Sequence, residues 1–164
     1  MAPGKGDTDL MLHGLAARLI TSGLRPCGTV QINSERCDGG PCDMDVKVLP
    51  DGPVMRISQN LGPSARGCRL DPDALERSVF LAEQALEAGA DVLIVNKFGK
   101  HEAQGRGFRP LIAEAVSRGV PVIIGVNALN LPEFKIFTGG LATKVASCQD
   151  DLMHWLASSL AQAA

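Results

Sequence analysis

"DVLIVNKFGKHEAQGRGFRP", residues 91–110, is the stretch whose reading decides the fold. It opens as a continuous apolar run ending at Asn96, the pattern of a strand covered on both faces. It then passes into a loop that holds Lys97, Lys100, His101, Glu102, Arg106 and Arg109. In open α/β sheets ligands bind in the crevice beyond the carboxyl ends of the strands. The charge gathered at the end of this strand therefore marks the first place to look for a site.

Working outward, a helix from about 108 to 118 leads through Gly119 to "VPVIIGVN" (120–127), a second apolar run. Two such runs separated by one helix imply a right-handed parallel crossover, with both strands expected in the middle of the sheet. Upstream, Asp71 caps a helix whose first residue is Pro72; Leu75, Val79, Ala82 and Leu86 form its buried stripe and Gly89 ends it. "DMDVKVLPDGPVMRIS" (43–58) alternates on either side of Pro50-Asp51-Gly52-Pro53 and reads as a hairpin. "PCGTVQIN" (26–33) is a short strand, and "CDGGPCD" (37–43) a turn-rich loop. Met11, Leu12, Leu15, Ala16 and Leu19 lie at helical spacing within 8–22, with Asp7 or Thr8 as the cap and Gly23 as the stop. Beyond residue 127 follow a short helix near 132–137, "TGG", and a terminal helix built on Leu152, Trp155, Leu156 and Leu160. The expected architecture is one α/β domain over 1–164: a mostly parallel sheet with helices on both faces and a β-hairpin insertion. No hydrophobic strand stands before the first helix: either that strand is lost or the recorded start lies downstream of the true one, and a sheet lacking it exposes an edge or an apolar slot that another chain could fill.

Composition narrows the function. A chain of 164 residues with 45% hydrophobic and 21% charged residues suits one compact α/β domain. A net charge of -2 argues against a general nucleic-acid binder, so any basic site is local. There is no run of about 20 apolar residues to span a membrane, and "MAPGKGDTDL" lacks a signal-peptide stretch, which makes a cytoplasmic location the expectation. Cys27, Cys37, Cys42, Cys68 and Cys148 are an odd set that fits free thiols.

The combination "CDMDVKVL", "ISQNLGPSARGCRLDPDALE", "DVLIVNKFGKHEAQGRGFR" and "GVPVIIGV" resembles a bacterial family catalogued as a domain of unknown function. Its members are often labelled molybdenum-transport ATP-binding-like and are similar to small nucleoside-triphosphatases with a P-loop fold. The resemblance runs from Leu10 onward. It implies a P-loop-like sheet whose first strand is absent here, and a ligand drawn from molybdate, tungstate, phosphate or a nucleotide. It also implies a molybdenum-related protein partner.

The residues depart from a working P-loop. G-x-x-x-x-G-K-[ST] is missing; "GKGDTD" (4–9) has the wrong spacing, and Asp7 and Asp9 would repel phosphate. Where a strand-end acid would hold Mg²⁺, the chain offers Asn96 and Lys97, and a cation there disfavours the metal. Hydrolysis by the usual machinery is therefore not expected, while anion binding fits. Lys97, Lys100, Arg106 and Arg109 could grip oxyanion oxygens, Gly99, Gly105 and Gly107 would let the backbone approach, and the helix start near Phe108 would add donors. The plain alternative is a solvated loop with surface pairs such as Glu102 with Arg106.

A second cradle candidate is "GPSARGCRLD" (62–71), with Arg66, Gly67, Cys68 and Arg69; the plain reading is a connector before a capped helix. Gln31 would project from its strand end toward the same crevice. Cys37 and Cys42 lack a second ligand pair, so no metal is expected, Cys42 and Cys68 being the weak candidates. Asp45, Asp71 and Glu102 are the acids of the family-like motifs, and capping alone explains Asp71. His101 beside Glu102 has the chemistry of a general acid or base, but a surface histidine in a charged loop is the commoner case. Phe134, Phe137 and "TGG" are expected to pack and cap the last helices. Three classes stay open: a degenerate P-loop-like binder of a small oxyanion or nucleotide, a nucleoside-triphosphate phosphatase built on Lys97, Lys100, Glu102 and Arg106, and an interaction module or homo-oligomer.

Overall fold

A computed structural model of the chain describes residues 6–34, 42–61 and 69–163. The described residues form α1 (Asp7–Thr21), β1 (Pro26–Ser34), β2 (Asp43–Val48), β3 (Val54–Arg56), α2 (Pro72–Glu87), β4 (Val92–Phe98) and the single turn α3 (Lys100–Ala103). They continue with α4 (Arg109–Ser117), β5 (Val122–Val126), α5 (Leu131–Thr138) and α6 (Gln149–Ala163). The five strands make one mixed sheet in the order β3-β2-β1-β4-β5. β1, β4 and β5 are parallel neighbours, and only β2 runs against the rest. The α/β class, the hairpin and the helices on both faces are as the sequence indicates.

Each layer follows from an apolar stripe. On one face α2 and α4 bury Leu75, Val79, Ala82, Leu86, Leu111 and Ile112 against Cys27, Leu93 and Val95. On the other, α1 and α6 bury Leu12, Leu15, Leu19, Leu152 and Leu156 against Val30, Val92 and Ile94. Alternate residues of β4 thus serve opposite layers, which is why its sequence is apolar throughout. α2 starts where Asp71 accepts from the backbone N–H of Asp73 (3.0 Å) and Ala74 (3.1 Å). The hairpin turns through a cis Leu49–Pro50 bond, and Arg56 on β3 pairs with Asp43 and Asp45 on β2.

One expectation is corrected. β4 is central, but β5 is the last strand of the sheet, bonded to β4 alone among the described residues. Its apolar run reflects cover on both faces, with Ile123 in the α1/α6 layer and Val122, Ile124 and Val126 against the α2/α4 layer. Cover above and below a strand says nothing of what lies beside it. Among the described residues no strand precedes α1, and no helix is long and apolar enough to cross a membrane.

Candidate functional site

Because β1 and β4 are parallel, their carboxyl ends open on one side of the sheet, next to the start of α1. There the structure builds two polar clusters.

The first is centred on Asp9, whose carboxyl group is buried and has no cation at ion-pair distance among the described residues. Its Oδ1 accepts from Asn96 Nδ2 at 2.8 Å and its Oδ2 from Asn33 Nδ2 at 2.7 Å. Asn96 Oδ1 in turn accepts from the backbone N–H of Gln31 at 2.9 Å, and the Gln31 amide donates to Asn33 Oδ1 at 2.7 Å. The two predicted residues Gln31 and Asn96 are therefore brought together, as parts of a clamp that fixes the first turn of α1 to β1 and β4. Every oxygen of Asp9 has a donor, which is what allows a charge to remain buried here. Sequence reading missed Asp9 as a buried residue. The signal was its spacing: Asp9, Leu12, Ala16 and Leu19 follow one stripe of α1, and all four are buried.

The second cluster is the loop after β4. Glu102 on α3 is almost fully buried, with a relative exposure of 3%. Its Oε2 accepts from the Gly99 N–H at 2.9 Å and its Oε1 from the Phe108 N–H at 3.1 Å. The neighbouring Gly107 N–H donates to Glu76 Oε1 of α2 at 3.1 Å. The backbone donors expected to cradle an anion are thus already bonded to the chain's own carboxylates. Gly107 has φ +58°, and a Cβ there would run into Glu102 Oε1. Glycine is required on both counts. In place of the Glu102–Arg106 ion pair, Arg106 donates to Gln104 Oε1 at 2.8 Å.

The cations divide by role. Arg109 stacks over the Phe137 ring at 4.6 Å and reaches the Glu102 carbonyl, while Phe98 packs against Phe134 and Phe137. Lys97, Lys100 and Arg106 are exposed, and among the described residues none has a carboxylate at ion-pair distance. His101 Nδ1 is shielded from solvent and has no hydrogen-bond partner among the described residues.

Of the second cradle candidate, Arg66, Gly67 and Cys68 lie outside the described residues, as does Cys37 and most of the 37–43 loop. Arg69 donates to the Cys42 carbonyl at 2.7 Å, tying the entry of α2 to the start of β2. Cys27, Cys42 and Cys148 are free thiols, and burial pushes the Cys27 thiol up to about 12. Among the described residues no group of His, Cys, Asp and Glu is arranged to hold a metal ion.

Comparison with known proteins adds two matches. A family model described as "Protein of unknown function (DUF2478)" matches residues 1–155. Among curated proteins, the Molybdenum import ATP-binding protein ModC 2 of Bradyrhizobium diazoefficiens is 32% identical over 151 residues. That alignment takes in 91% of this chain but 17% of the relative, so the chain spans a small part of that protein's length. No solved structure matches the chain.

Proposed function

Since the chain belongs to the family described as Protein of unknown function (DUF2478), we propose that it is a binding domain for a small oxyanion or for the phosphates of a nucleotide, held at the carboxyl end of β4. The observation that carries this reading is the set of exposed cations there, Lys97, Lys100 and Arg106, without carboxylate partners among the described residues. In this reading the side chains do the gripping, because the loop amides of Gly99, Gly107 and Phe108 are bonded to Glu102 and Glu76. Arginine forks and lysine ammonium groups suit tetrahedral oxyanions such as molybdate, tungstate or phosphate, and nucleotide phosphates equally. Arg109 and Glu102 shape the loop, while Gln31 and Asn96 hold the strand ends beneath it. The name of the Bradyrhizobium relative, which mentions molybdenum import and ATP binding, belongs to a much longer protein. It supports the anionic class of ligand and a molybdenum-related setting.

The test is calorimetric titration with molybdate, tungstate, phosphate, ADP and ATP. Lys97→Ala combined with Arg106→Ala leaves the fold intact and weakens binding by more than about tenfold, the scale of losing charge-assisted bonds. Equal affinity in the double variant and the parent rules out this location. The phosphatase alternative requires Mg²⁺-dependent phosphate release from ATP. Stoichiometric binding without turnover discards it.

A further inference from the structure

The free side of β5 borders a cleft of about 1260 Å³. It is walled by Val122, Ile124 and Val126 of β5, Phe134 and Phe137 of α5, and Trp155 of α6. The connector between α5 and α6 passes from one helical layer to the other around this edge, and its residues Leu141 to Val145 form the far wall. Val116 and Leu141 on the rim are 54% and 85% exposed, so the apolar lining continues to the surface.

The backbone of β5 is presented to this cleft. Leu93 N–H donates to the Pro121 carbonyl at 2.9 Å, and Leu93 stands opposite Val122 in the ladder. In a parallel pair Leu93 therefore engages residues 121 and 123, and Val95, opposite Ile124, engages 123 and 125. The N–H and C=O groups of Val122 and Ile124 face away from β4, with no partner among the described residues. A row of such groups is a template for another strand. Charge selects the guest. Lys135 and Lys144 are the ionisable residues of the lining, and neither is in an ion pair among the described residues.

We propose that the β5 edge is a strand-docking site: an extended apolar segment of a partner polypeptide, flanked by carboxylates, adds alongside β5 and seats alternate side chains against Ile124, Phe134 and Trp155. Main-chain bonds supply the affinity in this mode, side-chain pockets the register, and the two lysines the preference for acidic flanks.

Trp155 is the chain's single tryptophan and there is no tyrosine, so intrinsic emission reports on the cleft. The full chain is titrated with a peptide of about seven residues, the length that spans a strand such as β5, in which valine and threonine alternate between terminal glutamates. Emission changes to saturation, and amide hydrogen exchange slows at Val122 and Ile124. The same peptide with terminal lysines binds at least about tenfold more weakly, and so does the glutamate peptide to Lys135→Glu with Lys144→Glu, two exposed positions. Val122→Pro removes one outward donor where an edge strand tolerates proline, and abolishes the slowed exchange. Unchanged emission overturns the proposal, as does equal affinity for the two peptides. Binding without slowed exchange at Val122 and Ile124 means a helix or side-chain guest and also overturns it. A stable dimer in which those amides are protected without peptide assigns the edge to a second copy instead.

Discussion

Glu102 shows how one side chain can carry a loop. Its two oxygens satisfy the Gly99 and Phe108 amides, one of which is fully buried. Glu102→Ala leaves both donors without an acceptor and lowers stability by about 2–4 kcal/mol, by the usual cost of orphaned donors bonded to a charged group. Glu102→Gln recovers part of this, because its amide oxygen still accepts. Urea denaturation measures both, and a loss below about 0.5 kcal/mol for the alanine variant contradicts the role. Cys27 makes a different prediction. It is fully buried, and burial holds its thiol neutral up to about 12. An unfolded thiol ionises from about pH 8.5. The folded pKa is the higher one, so the contribution to stability is fully present below that value and is lost as pH rises from about 8.5 toward 12. The urea midpoint therefore falls more steeply between pH 8.5 and about 10.5 in the parent than in Cys27→Ala. Parallel pH profiles for the two would refute the assignment.

Among the elements, those fixed by local chemistry were legible in the sequence. Asp71, Pro72 and the stripe through Leu86 define α2 without reference to the rest of the chain, and Pro50 to Pro53 define the hairpin turn. β4 could be read because its residues alternate between two layers that both need apolar side chains. What was not legible depends on partners distant in sequence. The sideways position of β5 is set by which strand pairs with which, and its own residues carry no mark of that. The expected anion cradle around Gly99, Gly107 and Phe108 was located as a loop, but its amides are bonded to Glu102 and to Glu76 from α2. In the sequence Asp9 counts only as a charge that would repel phosphate, because its partners Asn33 and Asn96 lie 24 and 87 residues away.

The whole molecule rests on two helical layers of unequal history in the sequence. The layer of α2 and α4 is formed by the crossovers between parallel strands, whereas the layer of α1 and α6 joins the two ends of the described chain. α6 is held by few large residues, chiefly Leu152 and Leu156, with Trp155 and Leu160 packed beside them. Leu156 is 1% exposed and touches this layer's centre. Leu156→Ala costs about 2–5 kcal/mol, the range for a truncated core leucine, and is read as a fall in the denaturation midpoint. A cost under about 1 kcal/mol would mean that α6 is a loosely attached appendage.

The loop after β4 is tied down by carboxylates that belong to the chain itself. The ordering entropy of its backbone is met when the protein folds, so in the proposed reading an anion would freeze only the exposed side chains of Lys97, Lys100 and Arg106. Capture should then proceed as a one-step encounter, quick and dependent on ionic strength, with a small heat-capacity change. Fidelity among oxyanions would rest on the fork geometry of Arg106 and the reach of the two lysines, since the main chain beneath them is already spoken for.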